Sequence, residues 1–286
     1  MRGISCSGRK EWQFHAKDWL DYQISYAKRY SNLDFDYEDI DYIFGAVDAV
    51  SPTLLWGGRV SVGNEINITR LDEYWMYDHG IGVKLPLSTK SFDDAMYKDS
   101  ITFLQNHHQD CNAIIVSLDK LAMRIREDFP KYKIEASCIQ DIVDIPRLEK
   151  KISSGLYDTI VLPIHMNDDL EFLENIKDKD KIRLFLNVEC SYTCPKKVCY
   201  GTTSKINAGK RDIDKMLCSF YDLNMPRTFY KDEINWNTFY FDKLKFDKMG
   251  FNKYKLIPSW EFQQQTLIMY KTIEAYLDRP FKEIEL

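Results

Sequence analysis

Three cysteines fall within one short stretch, Asn187-Val-Glu-Cys190-Ser-Tyr-Thr-Cys194-Pro-Lys-Lys-Val-Cys199-Tyr200. Thiolates are soft donors, and three so close in sequence suit zinc or an iron-sulfur cluster. Cys218 would complete a four-thiolate shell, which tetrahedral zinc and a four-iron (4Fe-4S) cluster both accept. His165 is the alternative fourth ligand. The spacing is neither the paired C-x-x-C of zinc ribbons nor C-x3-C-x2-C. The competing reading is a set of reduced thiols packed as small hydrophobes. Cys6, Cys111 and Cys138 stand alone in sequence and read as structural.

A second set of chemistry-bearing residues interrupts apolar runs that otherwise look like buried strands. Lys84, Glu135, His165 and Lys255 are polar where such a run would continue apolar. In parallel α/β folds the working groups gather where strands end, so these four are expected to orient a substrate or move protons. A buried Glu or Lys there has its pKa moved toward neutrality, as acid-base work requires. Asp48, Ser51, Ser88, Ser137, Asn167, Asn187, Glu189, Ser259 and Trp260 occupy similar positions. Lys196, Lys197, Lys205, Lys210, Arg211 and Lys215 follow the cysteines, interleaved with Tyr192 and Tyr200. Such a strip can hold RNA, with tyrosines stacking on bases, or it can be an ordinary solvated face diluted by Asp212 and Asp214. Trp56-Gly-Gly-Arg59 either brings amides toward an anion or simply turns the chain. His15, His79, His107 and His108 read as structural. The usual nucleotide-loop, metalloprotease and serine-hydrolase signatures are absent.

Positioning these groups requires alternating strands and helices. Seven strands are expected at Tyr42 to Val47, Gly82 to Leu87, Ala113 to Ser117, Lys133 to Ala136, Thr159 to Ile164, Arg183 to Val188 and Tyr254 to Pro258. Most are continuously apolar in the middle, as strands covered on both faces are. Leu118, Leu121, Ala122, Ile125 and Phe129 form a helical stripe stopped by Pro130, and Leu170, Leu173 and Ile176 form another. A last helix would carry Phe262, Tyr270, Ile273 and Leu277. An eighth strand is expected between Met225 and Tyr240. The fold class is therefore α/β: a TIM-type barrel, complete or distorted, over residues 41–286, preceded by a helical N-terminal extension over 1–40.

The bulk numbers bound the class. Hydrophobic residues make up 44% and charged residues 29% of the 286. That is a globular composition, and no apolar run approaches a membrane span. The net charge of −5 argues against a surface that grips nucleic acid everywhere. Seven cysteines, an odd and sparse set, fit reduced thiols better than a disulfide framework. Met1 to Lys10 leads into the polar Glu11-Trp-Gln-Phe-His15 with no apolar core, so no secretory signal is expected. The expected location is the cytoplasm.

The chain resembles peptidase family U32. The resemblance rests on Leu121-Ala-Met-Arg-Ile-Arg-Glu-Asp-Phe-Pro130, Lys133-Ile-Glu-Ala-Ser137, Gly155-Leu-Tyr-Asp-Thr-Ile-Val-Leu162, Asn187-Val-Glu-Cys190 with Cys194-Pro195, and Gly250-Phe-Asn-Lys-Tyr-Lys255. It covers roughly Leu121 to Ser259, in order and texture more than in rigid motifs. It implies a TIM-type barrel, and kinship with proteins of RNA and ubiquinone hydroxylation, some of which hold a four-iron cluster on four cysteines. Carried onto this chain, it supports Cys190 and Cys194 best, and Cys199 and Cys218 less. The expected function is an oxygen-independent modifying enzyme acting on RNA or a small aromatic molecule with a redox partner. The alternatives are a non-catalytic barrel with structural zinc or free thiols, and a peptidase, for which the sequence shows no recognisable catalytic constellation.

Overall fold

A computed structural model describes residues 3–7, 17, 20–21, 24–25, 28–29, 33–47, 53–57, 67–188, 198–211 and 239–257. Eight strands follow one another around a closed ring: β1 Gly3–Ser7, β2 Ile40–Phe44, β3 Gly82–Leu87, β4 Ala113–Val116, β5 Lys133–Ala136, β6 Thr159–Val161, β7 Ile182–Phe185 and β8 Lys253–Leu256. Every neighbouring pair is parallel, and β1 closes the ring between β8 and β2, with a register shift against β2 between Ile4 and Ser5. This is the order and sense of a TIM-type barrel. Two short pairs lie outside the ring: Ala46–Val47 with Asn67–Ile68, and Asn187–Val188 with Phe239–Tyr240.

Two expectations need correction. The eighth strand lies at Gly3–Ser7, inside the segment read as a helical extension over 1–40, and not between Met225 and Tyr240. Of the latter stretch only Phe239–Tyr240 is described, and it pairs antiparallel outside the ring. The expected helix is visible at Lys17, Leu20, Asp21, Ile24, Ser25, Lys28 and Arg29, where Leu20 and Ile24 are buried. Five strands also end earlier than expected: β2 at Phe44, β4 at Val116, β6 at Val161, with Ile164 opening a 3-10 turn, β7 at Phe185 and β8 at Leu256. The helix expected over Phe262 to Leu277 lies outside the described residues.

The connecting helices are α1 Arg70–Asp78, α2 Asp94–Asn106, α3 Asp119–Asp128, α4 Ile145–Ser153, α5 Leu170–Glu174, α6 Val198–Asn207 and α7 Lys243–Lys248. Most begin at a side chain that accepts one of the free backbone N–H groups of the first turn. Thr69, Asp93, Asp144, Asp169 and Asp242 do so for α1, α2, α4, α5 and α7. Helix α3 has no such cap and is held by its buried Leu121, Ala122 and Ile125. Strands β3, β4 and β7 are buried along their whole length, as the apolar runs require. Asn112, wholly buried, ties the start of β3 to its surroundings: its Oδ1 accepts the Val83 N–H at 2.8 Å, and its Nδ2 donates to Tyr77 Oη and the His107 carbonyl.

Candidate functional site

The interior of a TIM-type barrel is ordinarily filled by branched apolar side chains. Here it holds a charged group. Lys84 on β3, Glu135 on β5 and Arg183 on β7 come from alternate strands, the arrangement of one interior layer. The register explains their meeting. Lys84 pairs with Ala113 and Ala113 with Lys133, two residues before Glu135. Ala136 pairs with Ile160 and Ile160 with Ile182, so Arg183 lies two steps beyond the partner position of Glu135. This regular climb is the stagger that closing a tilted barrel demands.

A single carboxylate oxygen sits between two cations. Glu135 Oε2 lies 2.7 Å from Lys84 Nζ and 2.9 Å from Arg183 Nε. The Lys84 side chain is 1% exposed and that of Glu135 is 2%. Arg183 also donates from Nη1 to the Tyr254 carbonyl at 2.8 Å and lies 3.7 Å from Asp41. Lys255 Nζ, on β8, is 3.9 Å from the other oxygen, Glu135 Oε1. Aromatic faces complete the surroundings: Lys84 lies over Tyr42 at 4.2 Å, and Lys255 over Phe44 at 4.4 Å and Phe185 at 5.8 Å.

Burial alone would raise the Glu135 carboxyl, but Lys84, Arg183 and Lys255 outweigh it and hold the group at about 2. Lys84 moves the other way. Burial, then the positive charge of Arg183, bring its ammonium down from 10.5 to about 7, against the pull of Glu135. The two shifts are compatible because the guanidinium is a permanent cation. When Lys84 loses its proton, Glu135 keeps Arg183 as counter-ion. The group thus contains one amine whose proton is labile near neutrality, beside an anion that stays ionised. Burial also raises the Tyr42 hydroxyl to about 12, so it stays protonated.

The sequence reading joined Lys84, Glu135, His165 and Lys255. The structure brings together Lys84, Glu135 and Lys255, mid-strand within the barrel and not at the strand ends. His165 is set apart: it is exposed on the 3-10 turn Ile164–Asp168, whose Ile164, Met166 and Asn167 are buried. The turn seats its apolar residues and leaves the imidazole outside. Arg183 was missed, although it interrupts an apolar run as plainly as Lys84 does. Asn187 is spent on structure, its amide exchanging two hydrogen bonds with the backbone of Ile257. Ser137 likewise accepts the Ile139 N–H at the head of a 3-10 turn.

Of the four cysteines proposed as ligands, Cys190, Cys194 and Cys218 lie outside the described residues, as do Asp48, Ser51, Glu189, Ser259 and Trp260. Cys199 is partly buried on the first turn of α6. That helix docks a polar face onto the loops that follow β2 and β3. Ser204 Oγ accepts the Lys90 N–H at 2.9 Å, Asn207 Nδ2 donates to the Trp56 carbonyl at 3.0 Å, and Thr202 and Thr203 are buried beside them. Gly57, read as a candidate anion cradle, donates its N–H to the Pro86 carbonyl. A Cβ there would meet the Ser88 backbone at 2.7 Å, so this glycine serves close packing. Of the basic strip, Lys205, Lys210 and Arg211 are described; the two lysines are exposed and Arg211 is partly buried. Among the described residues no three His, Cys, Asp or Glu side chains assemble as a metal site, and no helix is long and apolar enough to cross a membrane.

No protein-family model and no curated protein matches the chain. Its fold is similar to a solved structure described as that of the U32 peptidase Mk0906. The TM-score is 0.53 at 12% identity, covering 91% of this chain and 93% of that one. The U32-like fold expected from the sequence is therefore the fold found.

Proposed function

We propose that the chain is a modifying enzyme on a U32-like barrel in which Lys84 gives and takes a proton. In this reading Cys190, Cys194, Cys199 and Cys218 hold an iron-sulfur cluster as its redox group. The observation that carries the proposal is the charged interior. Removing several charges from water is costly, and apolar residues of similar volume would stabilise a barrel at least as well. A group kept at that cost, with an amine titrating near 7, suits acid-base chemistry. Four soft thiolates match an iron-sulfur cluster by donor type, and such a cluster supplies one-electron chemistry. The substrate class is RNA or a small aromatic molecule, modified without oxygen and with a separate redox partner.

The test compares nucleosides and small metabolites, by mass spectrometry, in anaerobic cells expressing the wild type, Lys84→Met or Cys190→Ser. A product gained with the wild type and lost with both folded variants is expected. A product unchanged by Lys84→Met removes Lys84 from the chemistry. Metal analysis of the same proteins expects about four irons per chain, lost in Cys190→Ser. Zinc in its place favours a second reading, a non-catalytic barrel with a thiolate clasp, to which the near-complete burial of Lys84 and Glu135 also lends support. The similar structure's description as a peptidase makes casein digestion the control for a third reading.

A further inference from the structure

Successive residues of a strand face opposite sides of the sheet, so one side of each barrel strand lines the interior. Strand β2 departs from this at its start. Ile4 of β1 pairs with Ile40, but Ser5 pairs with Tyr42, so β2 spends one extra residue, Asp41, against a single step of β1. A β-bulge of this kind re-aims the side chains beside it. Tyr42 faces inward, its ring centroid 4.2 Å from Lys84 Nζ. Asp41 faces inward as well, with Oδ2 3.7 Å from Nη2 of Arg183. Strands β2 and β7 are not neighbours in the ring, and the Arg183 side chain is 2% exposed, so the two groups meet across the interior.

Three contacts fix the Arg183 guanidinium. Nε reaches Glu135 Oε2 at 2.9 Å, Nη1 donates to the Tyr254 carbonyl at 2.8 Å, and Nη2 faces Asp41. The Glu135 oxygen it meets is the one that also holds Lys84. Lys84, Arg183 and Lys255 thus face two carboxylates, Glu135 and Asp41, and would face one if Asp41 were neutral. A guanidinium does not give up its proton, so that imbalance falls on an amine. Lys84 is the more deeply buried of the two and shares its anion with Arg183. The Asp41 charge is felt inside the barrel: after burial, it is the largest cause of the raised Tyr42 hydroxyl. Lys253 on β8 also feels that charge, but its ammonium donates to the Asp180 carbonyl. Asp158, the further carboxylate acting on Tyr42, is paired with Arg126.

We propose that Asp41 is a positioning residue for the Lys84 proton: turned inward by the bulge, it partly neutralises Arg183 and so sets how strongly Glu135 retains the Lys84 ammonium. The inference rests on the reading of Lys84 as the proton carrier, and adds a residue that acts on it through Arg183.

The test follows Lys84 across pH by NMR of lysine labelled with nitrogen-15, in the full chain and in Asp41→Asn, Asp41→Glu and Asp34→Asn, with circular dichroism confirming each fold. Asp34, 92% exposed, is the control for loss of one surface carboxylate. Asp41→Asn should lower the Lys84 midpoint by at least about half a pH unit. Asp41→Glu, which keeps the charge, should restore at least part of that shift, and Asp34→Asn should leave the midpoint in place. An unmoved midpoint in Asp41→Asn, or an equal shift in Asp34→Asn, overturns the inference. The wild type supplies a reading that needs no variant to fold. Coupling is reciprocal, so the Asp41 carboxyl carbon should show an inflection at the Lys84 midpoint, and a carbon that ignores it also overturns the inference. A wild-type Lys84 that titrates as an ordinary lysine sinks the proposed function too; a wild-type midpoint near 7 that Asp41→Asn leaves unmoved sinks this inference alone.

Discussion

Lys84 and Glu135 differ in what pH does to them, and stability measures both. Lys84 has its folded pKa lowered to about 7 from 10.5, so between those values the unfolded chain binds the extra proton. Stability attributable to Lys84 therefore rises as pH climbs from about 7 toward 10.5. Urea unfolding at pH 7 and 9.5 should show the wild type gaining on Lys84→Met; parallel curves would mean an ordinary lysine. Glu135 has the opposite window. Its folded value of about 2 against 4.5 contributes stability above 4.5 that is lost as pH falls toward 2. Replacing it with Gln strands Arg183 and Lys84 without their shared anion, and should cost about 3–5 kcal/mol in urea unfolding at pH 7. At this scale the sequence was informative: Lys84, Glu135 and Lys255 each interrupt an apolar run, which only a compensated charge can do. What it could not show was that the same carboxylate serves Arg183 and Lys84, since that depends on register across alternate strands. His165 misled because polarity after a strand looks the same whether the turn faces inward or outward.

The elements themselves depend on a few side chains that stand in for missing backbone partners. Asn112 is the strongest case, satisfying Val83, Tyr77 and His107 from one buried amide. Asn112→Ala should leave the Val83 N–H unpaired at the start of β3 and cost about 1–3 kcal/mol, read by urea unfolding. Asn112→Asp keeps the Val83 acceptor but cannot donate to Tyr77 or His107, and should recover only part of that loss. Helices α3 and α5 were legible because each carries an apolar stripe, a local signal, whereas the Thr and Asp caps that open α1 and α2 went unread. Strand β1 was not legible. Its five residues, Gly-Ile-Ser-Cys-Ser, have little apolar pattern, and their pairing partners at Lys253 to Leu256 lie at the far end of the described chain. The aromatic stretch toward Tyr240 has stronger strand propensity, yet propensity yields to non-local pairing.

At the scale of the whole molecule, closure of the ring brings the charged interior together. Arg183 on β7 and Lys255 on β8 are held against Glu135 because β8 is paired on both sides, with β7 and with β1. A proline at Ser5 removes an N–H from a strand paired on both edges, so Ser5→Pro should lower stability by about 2 kcal/mol or more. Loss of the low Lys84 pKa in that variant, even where it stays folded, is also expected. A variant as stable as the wild type would show that β1 contributes little to closure.

The central claim is that the barrel interior holds an amine whose proton comes off near neutral pH. Side-chain NMR of lysine labelled with nitrogen-15, with the Lys84 signal assigned by its absence in Lys84→Met, measures this directly across pH 5 to 11. The structure predicts a midpoint near 7. A Lys84 that titrates with the surface lysines near 10.5 would contradict the account.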